Sequence, residues 1–170
     1  VGQDYSYPWD QAAGFIRGFL ENGGEEVLRI WHPVEAVDFS SIMARLASLS
    51  GEYDAVLNNS GGAQVVAFFK QWKQFGLDKR YPQILGQANV PIVSMLPELG
   101  DDALGVYSSL HYYDGNPSAA NQKFRESFKK AYGHYPDVIA MQGYDCMRVA
   151  FKAMEDLNGK VDDPDAFIKA

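Results

Sequence analysis

Apolar positions recur at helical spacing in some windows and run continuously in others, and the two kinds of window alternate along the chain. Ala12, Phe15, Ile16 and Phe19 share one face of a helix predicted over 9–22, which Gly23 and Gly24 end. Residues 27–31 form a short apolar run of strand type. Ile42, Met43, Leu46 and Leu49 mark a second helix, capped by Asp38 or Ser40. Residues 55–57 read as a strand, and Val65, Val66, Phe68, Phe69, Trp72 and Phe75 as the face of a third helix, closed by Gly76. Residues 83–86 are a further strand candidate, with Gln87, Ala88 and Asn89 as its exit loop. A short helix over 91–96, a loop over 99–104 and an extended segment over 105–113 follow. The character then changes to helices, over 118–132 with Phe124, Phe128 and Ala131 on one face, and over 137–157 with Ala140, Tyr144, Met147, Phe151 and Met154. A last helix begins at Asp163 and Pro164.

Strands alternating with helices of this length imply an α/β fold with a doubly wound parallel sheet. Residues 1–4 look like the tail of a strand entering a loop over 1–10, in which Pro8 bars a regular central strand. The strand's first residues, a preceding domain and an export signal are expected to lie outside the sequence. The densest signal is the strand, turn and helix of 53–77. Its turn, Asn58, Asn59, Ser60, Gly61 and Gly62, sits where open parallel sheets place ligands, beside the free N–H groups of a helix start. A plain connection between strand and helix is the alternative for such a turn.

Length and charge narrow the function. The 170 residues suffice for one good core, or one domain and part of another. The net charge is −7 and Lys and Arg are scattered, so the phosphate backbone of a nucleic acid is excluded as a partner. No apolar run approaches a membrane span, so direct membrane insertion is not expected. Ten Tyr, ten Phe and three Trp supply both a core and rings for a ligand wall. The single cysteine, Cys146, excludes an internal disulfide and reads as a small core or half-buried residue.

His32, His111 and His134 lie on separate segments without metal-ligand spacing, so a metal site is not expected and each reads as a surface or hydrogen-bonding residue. No nucleophile-elbow or phosphate-loop motif occurs, and no cofactor is expected. Ser60 has no base assigned to it by motif; a hydroxyl and two glycines opening a helix suit an anion clamp better than a nucleophile. Asp101, Asp102, Asp162 and Asp163 are explained as helix-start and solvated residues. What remains is three loops: Ser6, Tyr7 and Trp9; 58–62; and Gln87, Ala88 and Asn89. They offer rings, amides, a hydroxyl and N–H groups but no acid–base pair, which suits binding without turnover.

The segments GQDYSYPWDQAAGFIRGF, DFSSIMARL, YDAVLNNSGGAQVVAFFKQWKQFGL, LGDDALGVYSSLHYY and NQKFRESFKKAYGHYPDVIAMQGYD, in this order, resemble the type I periplasmic solute-binding proteins of branched-chain amino acid (Leu/Ile/Val) ABC transporters. The resemblance implies two α/β lobes closing about hinges on a small-molecule ligand, and a membrane permease as partner, outside the cytoplasm. It implies that residues 1–112 are most of the second lobe and 113–170 a partial return into the first, with 105–113 as a hinge crossing. It assigns ligand contacts to Tyr7, to Asn59, Ser60, Gly61 and Gly62, and to Gln87, Ala88 and Asn89. Two departures stand out: Pro8 occupies a position where the family's motif has glycine, and no acid occurs between Arg80 and Glu98 to meet a ligand ammonium. An aromatic acid, another carboxylate or a neutral amide is therefore expected in place of a branched-chain amino acid. The same fold in a regulator's or receptor's ligand-sensing domain is the alternative.

Overall fold

A computed structural model describes residues 1–26, 28–87 and 90–170. The chain divides into two compact units, residues 1–111 and 112–170.

The first unit is a parallel α/β sheet. Strand β1 (Gly2–Gln3) leads into helix α1 (Ser6–Glu21), and β2 (Trp31–His32) into α2 (Ser40–Ser48). Strand β3 (Ala55–Asn58) leads into α3 (Gln64–Gln74), and β4 (Gln83–Gln87) precedes the one-turn helix α4 (Leu96–Leu99) and strand β5 (Tyr107–Ser109). β1 pairs with β2, β3 with β4 and β4 with β5, all parallel, and an isolated parallel bridge from Gly2 to Asn59 joins the two groups. The strand order is thus 2-1-3-4-5, the flavodoxin-like order, whose direction of winding reverses between β1 and β3.

Helices α2 and α3 cover one face. Phe39, Met43, Val65, Phe68, Phe69 and Trp72 are buried there against Val56 and Ile84 of the sheet. A ladder of rings runs through this core: Phe39 meets Phe68 edge-on at 5.6 Å between centroids, Phe68 stacks on Trp72 at 5.7 Å, and Trp72 tilts onto Tyr81 at 5.4 Å. Burying each such ring contributes about 1.5–3 kcal/mol. Leu57 and Leu85, the alternate strand positions, line a groove of about 740 Å³ with Phe15, Ile16 and Phe19 of α1. Of the apolar face expected on α1, only Ala12 is fully buried, with Phe19 exposed.

Several boundaries differ from the sequence expectation for identifiable reasons. α1 begins at Ser6, inside the expected loop, because Pro8 stands in its first turn, where no N–H is needed. The strand expected over 27–31 is regular only at Trp31–His32, and Val27 lies outside the described residues. β4 continues to Gln87, so this side chain leaves from a strand end and not from a loop. The expected loop over 99–104 contains a short 3₁₀ helix, Gly100–Ala103.

The second unit holds α5 (Ala119–Tyr132), α6 (Val138–Asp156) and α7 (Pro164–Lys169). Each starts at a side-chain cap: Ser118 Oγ accepts from Asn121 N–H at 3.3 Å, Asp137 Oδ1 from Ala140 N–H at 2.9 Å, and Asp163 Oδ1 from Asp165 N–H at 3.0 Å. Phe124 packs on Tyr144 at 4.5 Å between ring centroids. Cys146 is exposed, contrary to the expected core or half-buried placement, because α6 buries only Val138 and Ala153.

Candidate functional site

The reversal of winding between β1 and β3 opens a crevice at their carboxyl ends, the place where such sheets hold ligands. A shallow depression lies there, lined by Gln3, Tyr5, Tyr7, Pro8, Gln11, Asn59, Ser60, Gly61 and Gln87. The larger groove against α1 is lined mostly by residues toward the strands' amino ends, with Asn59 alone from the turn 58–62. Chemistry and topology favour the smaller depression over the larger volume.

Backbone bonds set its frame. Asp4 N–H donates to His32 O at 2.8 Å, and Gln3 N–H to Asn59 O at 3.3 Å, so the exits of β1, β2 and β3 are held together. Gln3, buried, reinforces them by donating from Nε2 to Val34 O at 3.2 Å and, more weakly, to Gly61 O at 3.5 Å. Asn59 Nδ2 donates to Pro8 O at 2.7 Å, tying the β3 exit to the first turn of α1. Asn58 Oδ1 accepts from Ser60 N–H at 3.0 Å and shapes the turn. Gly62 adopts φ +64°, the left-handed conformation that frees the chain to enter α3. Gly86 admits no side chain at all: a Cβ there would fall 1.8 Å from Val90 O.

One side-chain pair is buried beneath the turn, His32 with Ser60. Nε2 lies 2.9 Å from Oγ, and both residues are buried. The other ring nitrogen, Nδ1, is 2.9 Å from Pro33 O, and the ring stands edge-on to Phe39 at 4.9 Å between centroids. Burial in these apolar surroundings holds the imidazole pKa below its ordinary value, so the ring is neutral near pH 7.

The structure thus gathers Tyr7, Asn59, Ser60, Gly61 and Gln87 at one depression. Gly62 lies one residue further along the same turn, and Ala88 and Asn89 lie outside the described residues. Ser60, to which no motif assigns a base, has His32 as its partner, 28 residues away in sequence. Gln3, Tyr5 and Gln11 also line the depression, beyond the residues the sequence points to. Gln3 is legible in principle, as the last residue of a strand that enters a candidate ligand loop. Tyr5 and Tyr7 stack at 6.4 Å with rings 20° apart, both partly open to solvent, and form an aromatic rim. Among the described residues no acid lines the depression, and no group of three or more His, Cys, Asp or Glu is placed to hold a metal ion. No described helix is long and apolar enough to cross a membrane.

A parallel sheet in 2-1-3-4-5 order, with a depression at its switch point that no acid lines among the described residues, is the architecture of ligand-binding α/β proteins. The chain belongs to the periplasmic binding protein family, whose model matches residues 1–170. It is 34% identical over 167 residues to the Leu/Ile/Val-binding protein homolog 6 of Brucella melitensis, covering 95% of this chain and 42% of that protein. It thus spans less than half the length of the curated relatives it matches. A solute-binding protein of an ABC transporter from Rhodopseudomonas palustris BisB5, solved with 3,4-dihydroxybenzoic acid, superposes with TM-score 0.87 at 33% identity, over 98% of this chain and 45% of that one. Another from R. palustris, solved with 4-hydroxybenzoate, superposes with TM-score 0.89 at 26% identity, over 99% of this chain and 46% of that one.

Proposed function

We propose that this chain is part of the solute-binding component of an ABC transporter, working outside the cytoplasm and presenting a small aromatic acid to a membrane permease. In this reading residues 1–112 are most of the second lobe and 113–170 a return into the first. The ligand contacts are Tyr7, Asn59, Ser60, Gly61, Gly62 and Gln87, with Gln3 as the residue that fixes their frame. Ala88 and Asn89 complete the set by position in the sequence. The site binds its ligand without transforming it.

The observation that carries this reading is the acid-free lining of the switch-point depression. A ligand ammonium held there would lose its hydration without gaining a carboxylate, and isolated buried charges cost several kcal/mol or more. A benzoate-type ligand brings no such charge, and its ring matches the Tyr5–Tyr7 rim. Relatives above 25% identity solved with hydroxybenzoates support the same class.

The test is a thermal-shift screen of the full chain encoded by the gene. Benzoates at saturating concentration raise its Tm by several degrees, as a ligand selective for the folded state must. Leucine or valine raising Tm while aromatic acids leave it unchanged overturns the reading.

A further inference from the structure

The hydrogens of the His32–Ser60 pair can be placed from chemistry. Pro33 O is a carbonyl and only accepts, so the Nδ1 that lies 2.9 Å from it carries the proton. In the neutral ring Nε2 is then a bare lone pair, and the 2.9 Å contact to Ser60 Oγ is made by the serine's hydrogen. Ser60 has one hydroxyl hydrogen, and His32 takes it. Toward the depression Ser60 therefore presents lone pairs alone. Gln87 is fixed in the same sense: its Nε2 donates to Gln11 O at 2.9 Å, which settles the amide's orientation, and its buried Oε1 has no partner. Gln11 Oε1, on the same lining, is likewise buried without a donor. Buried acceptors without donors are costly, and the presence of two at one depression calls for a donor from outside the protein.

We propose that this wall is built to receive a hydrogen-bond donor on the ligand, with Ser60 Oγ and Gln87 Oε1 as the accepting atoms and His32 as the positioning residue that turns the serine's proton inward. The inference rests on the aromatic-acid reading and deepens it: the substrate class becomes aromatic acids bearing a ring hydroxyl or N–H, and the hydroxyl end, not the carboxylate, meets Ser60. A carboxylate at the same point would face like-signed lone pairs.

Two measurements on the full encoded chain test this. Isothermal titration with 4-hydroxybenzoate and with benzoate reads the value of the donor: the hydroxylated acid binds about tenfold more tightly or better, and Ser60→Ala brings the two affinities to within about threefold. Equal affinities in the unaltered protein overturn this inference alone, and binding of neither acid overturns the aromatic-acid reading with it. Independently of any ligand, nitrogen NMR of the histidine side chains reads the tautomer. A proton on Nδ1 of His32 is expected; a proton on Nε2 would point the Ser60 hydrogen into the depression and overturn the assignment.

Discussion

Helices α3 and α6 carry the same sequence pattern and meet different fates. Each repeats large apolar residues at steps of three and four. On α3 the stripe is closed over: Val65, Val66, Phe68, Phe69 and Trp72 are all buried. On α6 it stays open to water, with Ile139, Met147 and Phe151 each more than half exposed and Tyr144 little less. Periodicity identifies a face; it does not supply the surface that covers the face. In the first unit that surface is the sheet and the ring ladder, made from residues between 30 and 99. In the second unit the described residues provide only helices.

The largest way to break the contrast is at its buried end. Phe68→Ala removes a fully buried ring that touches Phe39, Phe69 and Trp72, and should cost about 3–5 kcal/mol in urea denaturation. A loss below about 1 kcal/mol would mean that the first unit's core is loose in solution. The next effect tests the seam between core and site. Asn59→Ala frees Pro8 O at the base of α1 and should cost about 1–3 kcal/mol without ligand. An unchanged midpoint would mean that Asn59 does not tether α1.

What was legible in the sequence follows the same division. The α/β class and the order of elements came from periodicity, because burial on one face is local information. The turn 58–62 was legible because two glycines between a strand and a helix are local too. The His32–Ser60 pair was not, since it joins two strand exits that only the parallel pairing of β1 with β2 and the Gly2–Asn59 bridge bring together. The strand over 83–86 was legible and ran one residue short: Gln87, read as the first residue of the exit loop, ends β4, in which Gly86 is kept small by the close passage of Val90 O. Exposure of Cys146 is illegible for the reason α6 differs from α3: periodicity marks a face but not the layer that covers it.

Acid should act on the first unit through His32. Its folded-state pKa lies below the ordinary value of 6.5, so the unfolded chain binds the proton more readily. Stability from this group is complete above about pH 6.5 and falls as pH drops toward and through the folded pKa, by at most about 1.4 kcal/mol per pH unit. Denaturation midpoints at pH 7.5 and 5.5, compared between the parent chain and His32→Gln, isolate the term. An identical pH dependence in both would remove His32 as its source.

The smallest expected effect is at the open end of the comparison. Phe151 is 55% exposed on α6, so truncating it to Ala removes little surface that folding had hidden. The change should stay within about 0.5 kcal/mol in the 170-residue chain, the range of ordinary surface substitutions. Alanine is also the better helix former, which offsets part of any loss. Phe68→Ala and Phe151→Ala thus delete the same side chain from two helices of the same pattern, and the difference between them measures the covering layer alone. A loss for Phe151→Ala approaching that for Phe68→Ala would mean that α6's stripe is buried in solution, and the contrast between the helices would disappear.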